Sequence, residues 1–196
     1  MRPILKIQHA REFTVGCLSL IGILLIAYAC KACSKENNNE TISSAFALKS
    51  SEIQSDSLLP KEYTCDGESS TLPLEWSGFP VGTRYFALVM HHEASVTDIH
   101  WYWVLYNIPL TVQSLEKNTT GIGTLGNNSV NGNIGYAPPC SQGPGVKSYV
   151  YTIYALSEPI ALTVPASEVN REILLEAIKK ITLASATLIV VYSRDI

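Results

Sequence analysis

The sequence predicts a mainly β domain with one peripheral helix. Four runs of six to eight residues are rich in aromatic and β-branched side chains and contain no charge, which is typical of buried strands. Glycine and proline clusters separate the runs and favour turns and irregular loops. Only one segment, near the C-terminus, has apolar residues at helical spacing. The four predicted strands are 85–90, 101–108, 149–156 and 186–192.

Shorter elements precede the first of these strands. Residues 46–48 predict a short strand, and the Asp-Gly pair within 63–67 predicts a turn. Residues 72–76 are expected to be extended, because Pro73 lacks an amide donor and biases its neighbour away from helix. A second turn is predicted at 78–82.

The second half of the domain contains a long irregular stretch and the helix. Seven of the chain's twelve glycines lie between Gly121 and Gly145, so we expect no regular element there, and loops of that length are usually functional or mobile. The helix is expected to follow Asn170, whose side chain can cap it. Its apolar stripe consists of Ile173, Leu174, Ala177, Ile178 and Ile181.

The first 33 residues resemble an export signal. Basic residues precede an uncharged, mostly apolar run at 17–29, which is short for a membrane span. Ala-Tyr-Ala-Cys30 resembles a lipoprotein cleavage box, in which the cysteine is lipidated, and Cys33 is the alternative. We therefore expect a bacterial lipoprotein of the cell envelope, with a plain signal peptide or a signal anchor as the other interpretations.

A polar tether and a single domain are predicted after the signal. Residues 34–44 have no hydrophobic periodicity and predict a flexible tether, and residues 45–196 form the domain. A net charge of −3 with 16% charged residues gives no electrostatic basis for binding nucleic acid.

Two of the five cysteines, Cys65 and Cys140, lie in the domain, and both are in turn-like contexts. An exported domain with two cysteines permits one disulfide, which we expect here. Two buried free thiols are the alternative.

Three of the four histidines lie within ten residues, at His91, His92 and His100, with Glu93 and Asp98 nearby. Histidine and carboxylate at this density suit zinc or another divalent metal. The spacing does not match an HExxH helix, and a polar loop with hydrogen-bonded histidines is the simpler interpretation. The chain also lacks the Gly-x-Ser-x-Gly elbow of many hydrolases, so we expect no catalysis.

Several segments, taken in order, resemble the phosphatidylethanolamine-binding protein family, in its bacterial branch called Raf kinase inhibitor-like. They are Tyr-Thr-Cys-Asp-Gly at 63–67, Pro-Leu-Glu-Trp-Ser-Gly at 73–78, Gly-Thr-Arg-Tyr-Phe-Ala-Leu-Val at 82–89, Trp-Val-Leu-Tyr-Asn-Ile-Pro at 103–109, Gly-Tyr at 135–136 and Tyr-Val-Tyr-Thr-Ile-Tyr-Ala-Leu at 149–156. The resemblance implies a large central antiparallel sheet, a second smaller sheet and peripheral helices.

The resemblance also implies a small anion pocket, whose residues differ here from the family pattern. The signature Asp-Pro-Asp-Ala-Pro is replaced by His-His-Glu-Ala-Ser at 91–95, so only the second acid is kept, as Glu93. A family histidine is replaced by Tyr102, and His100 lies two residues earlier, on the same face of a strand. Lys147 replaces a second family histidine.

We therefore predict a binding protein for a small anion or a phospholipid head group, without a cofactor and attached to the membrane by its N-terminal lipid. Since histidine titrates near neutral pH, anion affinity is expected to rise on acidification. The predicted ligand residues are His91, Glu93, His100, Tyr102, Lys147 and Tyr149, with Pro138 and Pro139 in a wall formed by residues 137–140.

The sequence fits two other functions. One is a metal-dependent enzyme or metal carrier that uses His91, His92 and His100. The other is an inhibitor or interaction module for an envelope protein, acting through the glycine-rich stretch 121–145.

Overall fold

The computed structural model describes residues 45–142 and 145–194. Nine strands and one α-helix lie in this part of the chain, together with two short 3-10 helices at Lys61–Tyr63 and Ala166–Glu168. The strands and the α-helix are β1 (Ala47–Lys49), β2 (Ser57–Leu58), β3 (Leu74–Ser77), β4 (Tyr85–Ser95), β5 (Asp98–Pro109), β6 (Ser114–Leu115), β7 (Thr124–Leu125), β8 (Lys147–Leu156), α1 (Arg171–Ile178) and β9 (Thr182–Tyr192).

The strands form two sheets. The large sheet has six strands in the order β2-β9-β8-β4-β5-β7, and the small sheet has three in the order β1-β3-β6. All neighbours in the large sheet are antiparallel except β2 and β9, which are parallel. The predicted mainly β fold, with a large antiparallel sheet and a smaller second sheet, is confirmed.

Both faces of the large sheet are buried. Phe86, Leu88 and Met90 pack between the two sheets, whereas Ala87 and Val89 pack on the opposite face, beneath α1. A strand buried on both faces is apolar at every position, which explains the uncharged runs in the sequence. The helix begins after Asn170 as predicted, and the Ile173 amide donates to its side-chain oxygen at 2.8 Å.

One irregularity in β5 determines which side chains share a face. Met90 pairs with Trp103 and His91 pairs with Trp101, so Tyr102 is an extra residue on β5. Such a β-bulge places two successive residues on one side of the strand. Tyr102 and Trp103 accordingly both belong to the core between the sheets.

The structure differs from the sequence expectations at strand ends and in the glycine-rich stretch. Strand β4 continues to Ser95 and β5 starts at Asp98, so the histidine cluster lies on a paired hairpin and not in a loop. The stretch expected to lack regular structure contains β7, which pairs with β5. The Gly126 and Ala137 amides also donate to β5 carbonyls, which fixes the described part of this stretch against the sheet.

Within the described residues, no helix is long and apolar enough to cross a membrane. The predicted export signal, the lipidation sites Cys30 and Cys33, and the tether lie outside the described residues.

Candidate functional site

A cleft of about 360 Å³ opens at one end of the large sheet, where the β4–β5 hairpin approaches the start of β8. Its described lining combines imidazole, phenol, ammonium and amide groups with two small apolar side chains. The lining residues are His92, Ala94, His100, Tyr102, Ser129, Val130, Cys140, Gln142 and Lys147.

The pairing of β4 with β5 brings two histidines together in this cleft. His92 lies directly opposite His100 in the antiparallel ladder, so the two side chains share a face. Tyr102 lies two residues after His100 and has the same face by the ordinary alternation of a strand. The structure therefore has His100 and Tyr102 on one face, as expected from the sequence.

The hydrogen bond of His92 fixes which of its ring nitrogens is free. Its Nδ1 lies 2.8 Å from the Ser148 carbonyl oxygen, and because a carbonyl only accepts, Nδ1 must donate. The neutral ring therefore has a lone pair on Nε2, which can accept a hydrogen bond but cannot donate one. When the ring gains a proton, Nε2 becomes a charged donor.

The two other basic side chains have different partners. His100 Nε2 lies 3.2 Å from a carboxylate oxygen of Asp98, and both side chains are about half exposed. Lys147 Nζ donates to the Gln142 carbonyl oxygen at 2.6 Å. An ammonium group has three donors, so Lys147 keeps two for another acceptor.

Two buried tyrosines lie below the histidines. The rings of Tyr102 and Tyr149 meet edge to face at 5.3 Å between centroids, and His92 lies 5.5 Å from the Tyr149 ring. The two hydroxyl groups are near each other without the geometry of a hydrogen bond. Burial raises the pKa of both phenols, so both stay protonated and can donate. Tyr149 is fully buried and supports the cleft without lining it.

A disulfide between Cys65 and Cys140 holds one wall of the cleft. The Cys65 amide also donates to the Pro139 carbonyl oxygen at 3.0 Å, and the Ala137 amide donates to the Tyr102 carbonyl oxygen at 2.8 Å. Cys140 lines the cleft, whereas the two predicted wall prolines lie behind it, Pro139 buried and Pro138 half-buried.

The placement of His91 and Glu93 differs from the prediction. His91 is buried on the α1 side of the sheet, and its Nε2 contacts a Glu93 carboxylate oxygen at 3.3 Å. The family signature has prolines at the positions of His92 and Ser95, and proline interrupts a strand ladder because it cannot donate. Without those prolines β4 continues to Ser95, and the alternation of the strand turns His91 and Glu93 away from His92.

The chemistry of the α1 side also differs from that of the cleft. Burial, and secondly the Arg171 guanidinium, lower the pKa of His91, so its ring is neutral near pH 7. Its Nδ1 has no hydrogen-bond partner among the residues that the structure describes.

The metal alternative fails on this geometry. His91 lies on the opposite face from His92 and His100, so the three imidazoles cannot bind one ion together. Across residues 45–142 and 145–194, no group of three or more His, Cys, Asp or Glu side chains is arranged to hold a metal.

Sequence reasoning placed His92 only in the metal alternative and did not include Ser129, Val130 or Gln142. The two-residue turn between Ser95 and Asp98 alone would set Glu93 opposite His100. A register shift between Glu93 and Ser95 sets His92 there instead, and no signal in the sequence indicates that shift. The other three come from segments without a periodic pattern, and no signal in the sequence places them.

Comparisons with known proteins agree with the fold. The family model described as phosphatidylethanolamine-binding protein matches residues 49–193. A UPF0098 protein of Methanothermobacter thermautotrophicus is 36% identical over 141 residues, which cover 69% of this chain and 91% of that protein. A UPF0098 protein of Aquifex aeolicus is 31% identical over 142 residues, covering 70% of this chain and 82% of the relative.

Two solved structures have the same fold. A phosphatidylethanolamine-binding protein homologue from Chlamydia trachomatis matches with a TM-score of 0.69 and 28% identity, over 77% of this chain and 99% of that one. Escherichia coli YbcL, described as a new member of the mammalian family, matches with a TM-score of 0.69 and 23% identity, over 78% of this chain and all of that one. By the family model, the relatives and the fold together, this chain belongs to the phosphatidylethanolamine-binding protein family.

Proposed function

We propose that the cleft binds a small anion, with a phosphate group as the recognised chemistry, either free or in a phospholipid head group. The observation that supports this is the charge of the lining. Lys147, His92 and His100 can each carry a positive charge, and no acidic side chain is among the described residues that line the cleft. Charge-assisted hydrogen bonds from such groups are the strongest that a protein offers to an anion.

The size and donors of the cleft fit this ligand class. Small-molecule sites usually have volumes of about 300 to 1,000 Å³, and 360 Å³ lies at the lower end. Tyr102 adds a neutral donor, and Lys147 is a point charge well suited to phosphate. Asp98 compensates part of the positive charge at His100, which leaves Lys147 and His92 as the main expected partners.

The experiment is a calorimetric titration with inorganic phosphate and with phosphoethanolamine. Replacing Lys147 by Ala is expected to weaken binding of both at least about tenfold, because a hydrogen bond to a charged group contributes about 1.5 to 3 kcal/mol. His91→Gln is the matched control, since this histidine lies on the other face of the same strand. We expect it to bind phosphate like the wild type.

The same titration has a pH arm. Phosphate itself gains a proton between pH 8 and pH 5.5, so the wild type is compared with His92→Gln at both pH values. A protonated His92 donates from Nε2 to the anion, so acidification should favour binding more in the wild type than in His92→Gln. An equal pH dependence of the two proteins would remove His92 from the proposal, and an unaffected Lys147→Ala variant would refute it.

We further propose that the domain is exported and held at the membrane by a lipid on Cys30. The bond between Cys65 and Cys140 supports export, because structural disulfides persist in oxidising compartments. Labelling a bacterial host with radioactive palmitate tests the anchor. Cys30→Ser should abolish incorporation and Cys33→Ser should not. If Cys33→Ser abolished incorporation and Cys30→Ser did not, the lipid would be on Cys33, and a wild-type protein that incorporates no palmitate would refute the anchor.

A further inference from the structure

The carboxylates of the segments around the cleft have other partners. Glu93 lies on the α1 side of the sheet, where a carboxylate oxygen contacts His91 Nε2 at 3.3 Å. Asp98 has an oxygen 3.2 Å from His100 Nε2 and is not among the lining residues. Asp66, next to the disulfide, accepts hydrogen bonds from two side chains at the C-terminal end of the described chain. Among the described lining residues, the cleft therefore has no carboxylate that could pair with a cationic group of a ligand.

The uncharged acceptors of the cleft are weak partners for a cation. The Ser129 hydroxyl accepts from the Trp101 amide at 2.8 Å and donates to the Trp101 carbonyl oxygen at 3.0 Å, so it is already bound to the backbone. His92 Nε2 accepts only while the ring is neutral, because protonation turns it into a donor. The Tyr102 hydroxyl and the Gln142 side chain have no charge. An ammonium group would exchange its hydration for these acceptors without a counter-charge, which is strongly unfavourable.

The remaining part of the cleft is apolar or positive. Ala94 lies two residues after His92 and lines the same cleft, and Val130 follows Ser129. Both side chains are exposed, so a ligand can contact them. Lys147 adds a positive charge to the same lining. A group attached to the bound phosphate thus meets either aliphatic carbon or a like charge if it is cationic, and like charges repel.

We propose that the cleft selects phosphate esters whose substituent is uncharged, such as a short alkyl or glycerol group, over esters that carry an ammonium group. This selectivity rests on the proposed function, because the phosphate is held by the same Lys147 and His92. The substituent lies against Ala94 and Val130. Among phospholipid head groups, glycerol is then preferred to ethanolamine.

The test is a calorimetric titration of the full chain at pH 5.5 with two soluble phosphodiesters, glycerophosphoglycerol and glycerophosphoethanolamine. A phosphodiester has one negative charge at this pH, so the two ligands differ in charge only through the ammonium group. Glycerophosphoglycerol should bind at least about fivefold more tightly, the size expected for repulsion between unit charges several ångströms apart at a half-open, hydrated site. Equal affinities, or tighter binding of glycerophosphoethanolamine, would overturn the selectivity.

A second pair of ligands identifies the source of the phosphate. Propyl phosphate and phosphoethanolamine have nearly the same shape, and at pH 8 both phosphates are doubly charged. Propyl phosphate should bind more tightly, by a smaller factor than at pH 5.5, because neutral His92 can accept from the ammonium group. Tighter binding of the monoester pair than of the diester pair indicates a free phosphate ester, and the reverse indicates a phospholipid head group. Both results support the selectivity when the ammonium ligand is the weaker member of each pair that binds.

Inorganic phosphate separates the two possible failures. If neither phosphate nor any of the four esters binds, the proposed function itself fails. If phosphate binds and the members of each pair bind equally, or no ester binds, the selectivity alone fails.

Variants give the second measurement. Ala94→Asp adds a carboxylate to the cleft and should shift the affinity ratio towards glycerophosphoethanolamine by at least about fivefold. Glu93→Gln, at the neighbouring position on the other face, is the matched control and should keep the wild-type ratio. Asp98→Asn should also keep it, and a loss of affinity for glycerophosphoethanolamine alone in this variant would overturn the selectivity. The comparison of ligands with the wild type holds whether or not the variants fold.

Discussion

His91 and His92 are consecutive in the chain and have different chemical environments. His92 faces the cleft with Nδ1 on a carbonyl oxygen, whereas His91 is buried beside Arg171 on the α1 side. Their separation results from the two-residue period of a strand. We therefore expect His92 to affect ligand binding and His91 to affect stability.

The lowered pKa of His91 predicts a loss of stability in acid. The unfolded chain protonates this histidine near its ordinary value of 6.5, and the folded chain does so only at lower pH, because burial and Arg171 oppose the charge. The unfolded state therefore binds more protons, and the contribution of His91 is fully present above pH 6.5 and is lost as the pH falls. Between pH 7 and pH 5 the loss is at most about 2 kcal/mol, since one pH unit corresponds to about 1.4 kcal/mol.

Denaturant unfolding at pH 7 and pH 5 measures this loss. His91→Gln should have a smaller decrease in unfolding free energy than the wild type over this interval, whatever its stability at pH 7. His92→Gln is the matched control and should keep the wild-type decrease. If His91→Gln and the wild type lose equal free energy, His91 is not responsible for the acid sensitivity.

The structure brings some of the predicted site residues together at the cleft and turns others away, for one physical reason. Tyr102, His100 and Lys147 line the cleft, and their strands are recognisable in the sequence and have a regular period. His91 and Glu93 were assigned through a family signature in which prolines end the strand. The replacement of these prolines lengthens β4, and only the pairing with β5 shows which face each residue takes.

At the scale of elements, the hairpin of β4 and β5 supplies four of the residues that line the cleft. Helix α1 covers the opposite face of the same sheet, with Leu174 and Ile178 buried against it. The cleft and the helix packing are thus on different sides of a shared set of strands. A change in α1 should alter stability and leave the anion affinity unchanged.

The N-cap of α1 gives a direct test of this separation. Asn170→Ala removes the acceptor for the Ile173 amide and should lower the unfolding free energy by about 1 kcal/mol. This corresponds to a decrease in Tm of roughly 2 to 4 °C for a domain of this size. Asn170→Asp keeps a capping oxygen and should restore most of the loss. Weaker phosphate binding in a folded Asn170→Ala variant would contradict the separation of the two faces.

For the whole molecule, the disulfide is the covalent link between distant parts of the chain. It joins residues 75 positions apart, and its Cys140 end lines the cleft. Beside it, Arg194 and Tyr192 both donate hydrogen bonds to the Asp66 carboxylate. Both bonds lower the pKa of Asp66, and the bond from the Tyr192 hydroxyl has the larger effect. The C-terminal end of β9 is thereby connected to the turn that carries Cys65.

Loss of the disulfide should destabilise the molecule substantially. Replacing both cysteines by serine is expected to lower the unfolding free energy by about 2 to 5 kcal/mol, since a cross-link over a long loop restricts the unfolded chain. Guanidinium unfolding of this variant, compared with the oxidised and the reduced wild type, measures the effect. The reduced wild type should match the variant. An oxidised wild type no more stable than the variant would show that the cross-link contributes nothing.

The architecture as a whole was predictable because the uncharged runs mark the strands and the family resemblance orders them. The full lining of the cleft was not predictable, because Ser129, Val130 and Gln142 come from irregular segments that approach the hairpin only in the folded molecule. The predictions of a signal and a tether concern the first 44 residues, which are not among the described residues.

The bulge at Tyr102 has a consequence for how this protein can change. Tyr102 has no partner in the ladder with β4, so its side chain belongs to no cross-strand pair of that ladder. At the corresponding position the family commonly has histidine, as the resemblance implies. On the proposed function, a substitution at this one position changes a hydrogen-bond donor of the cleft without replacing a residue that is paired with β4. Ligand preference can then diverge among relatives within one architecture.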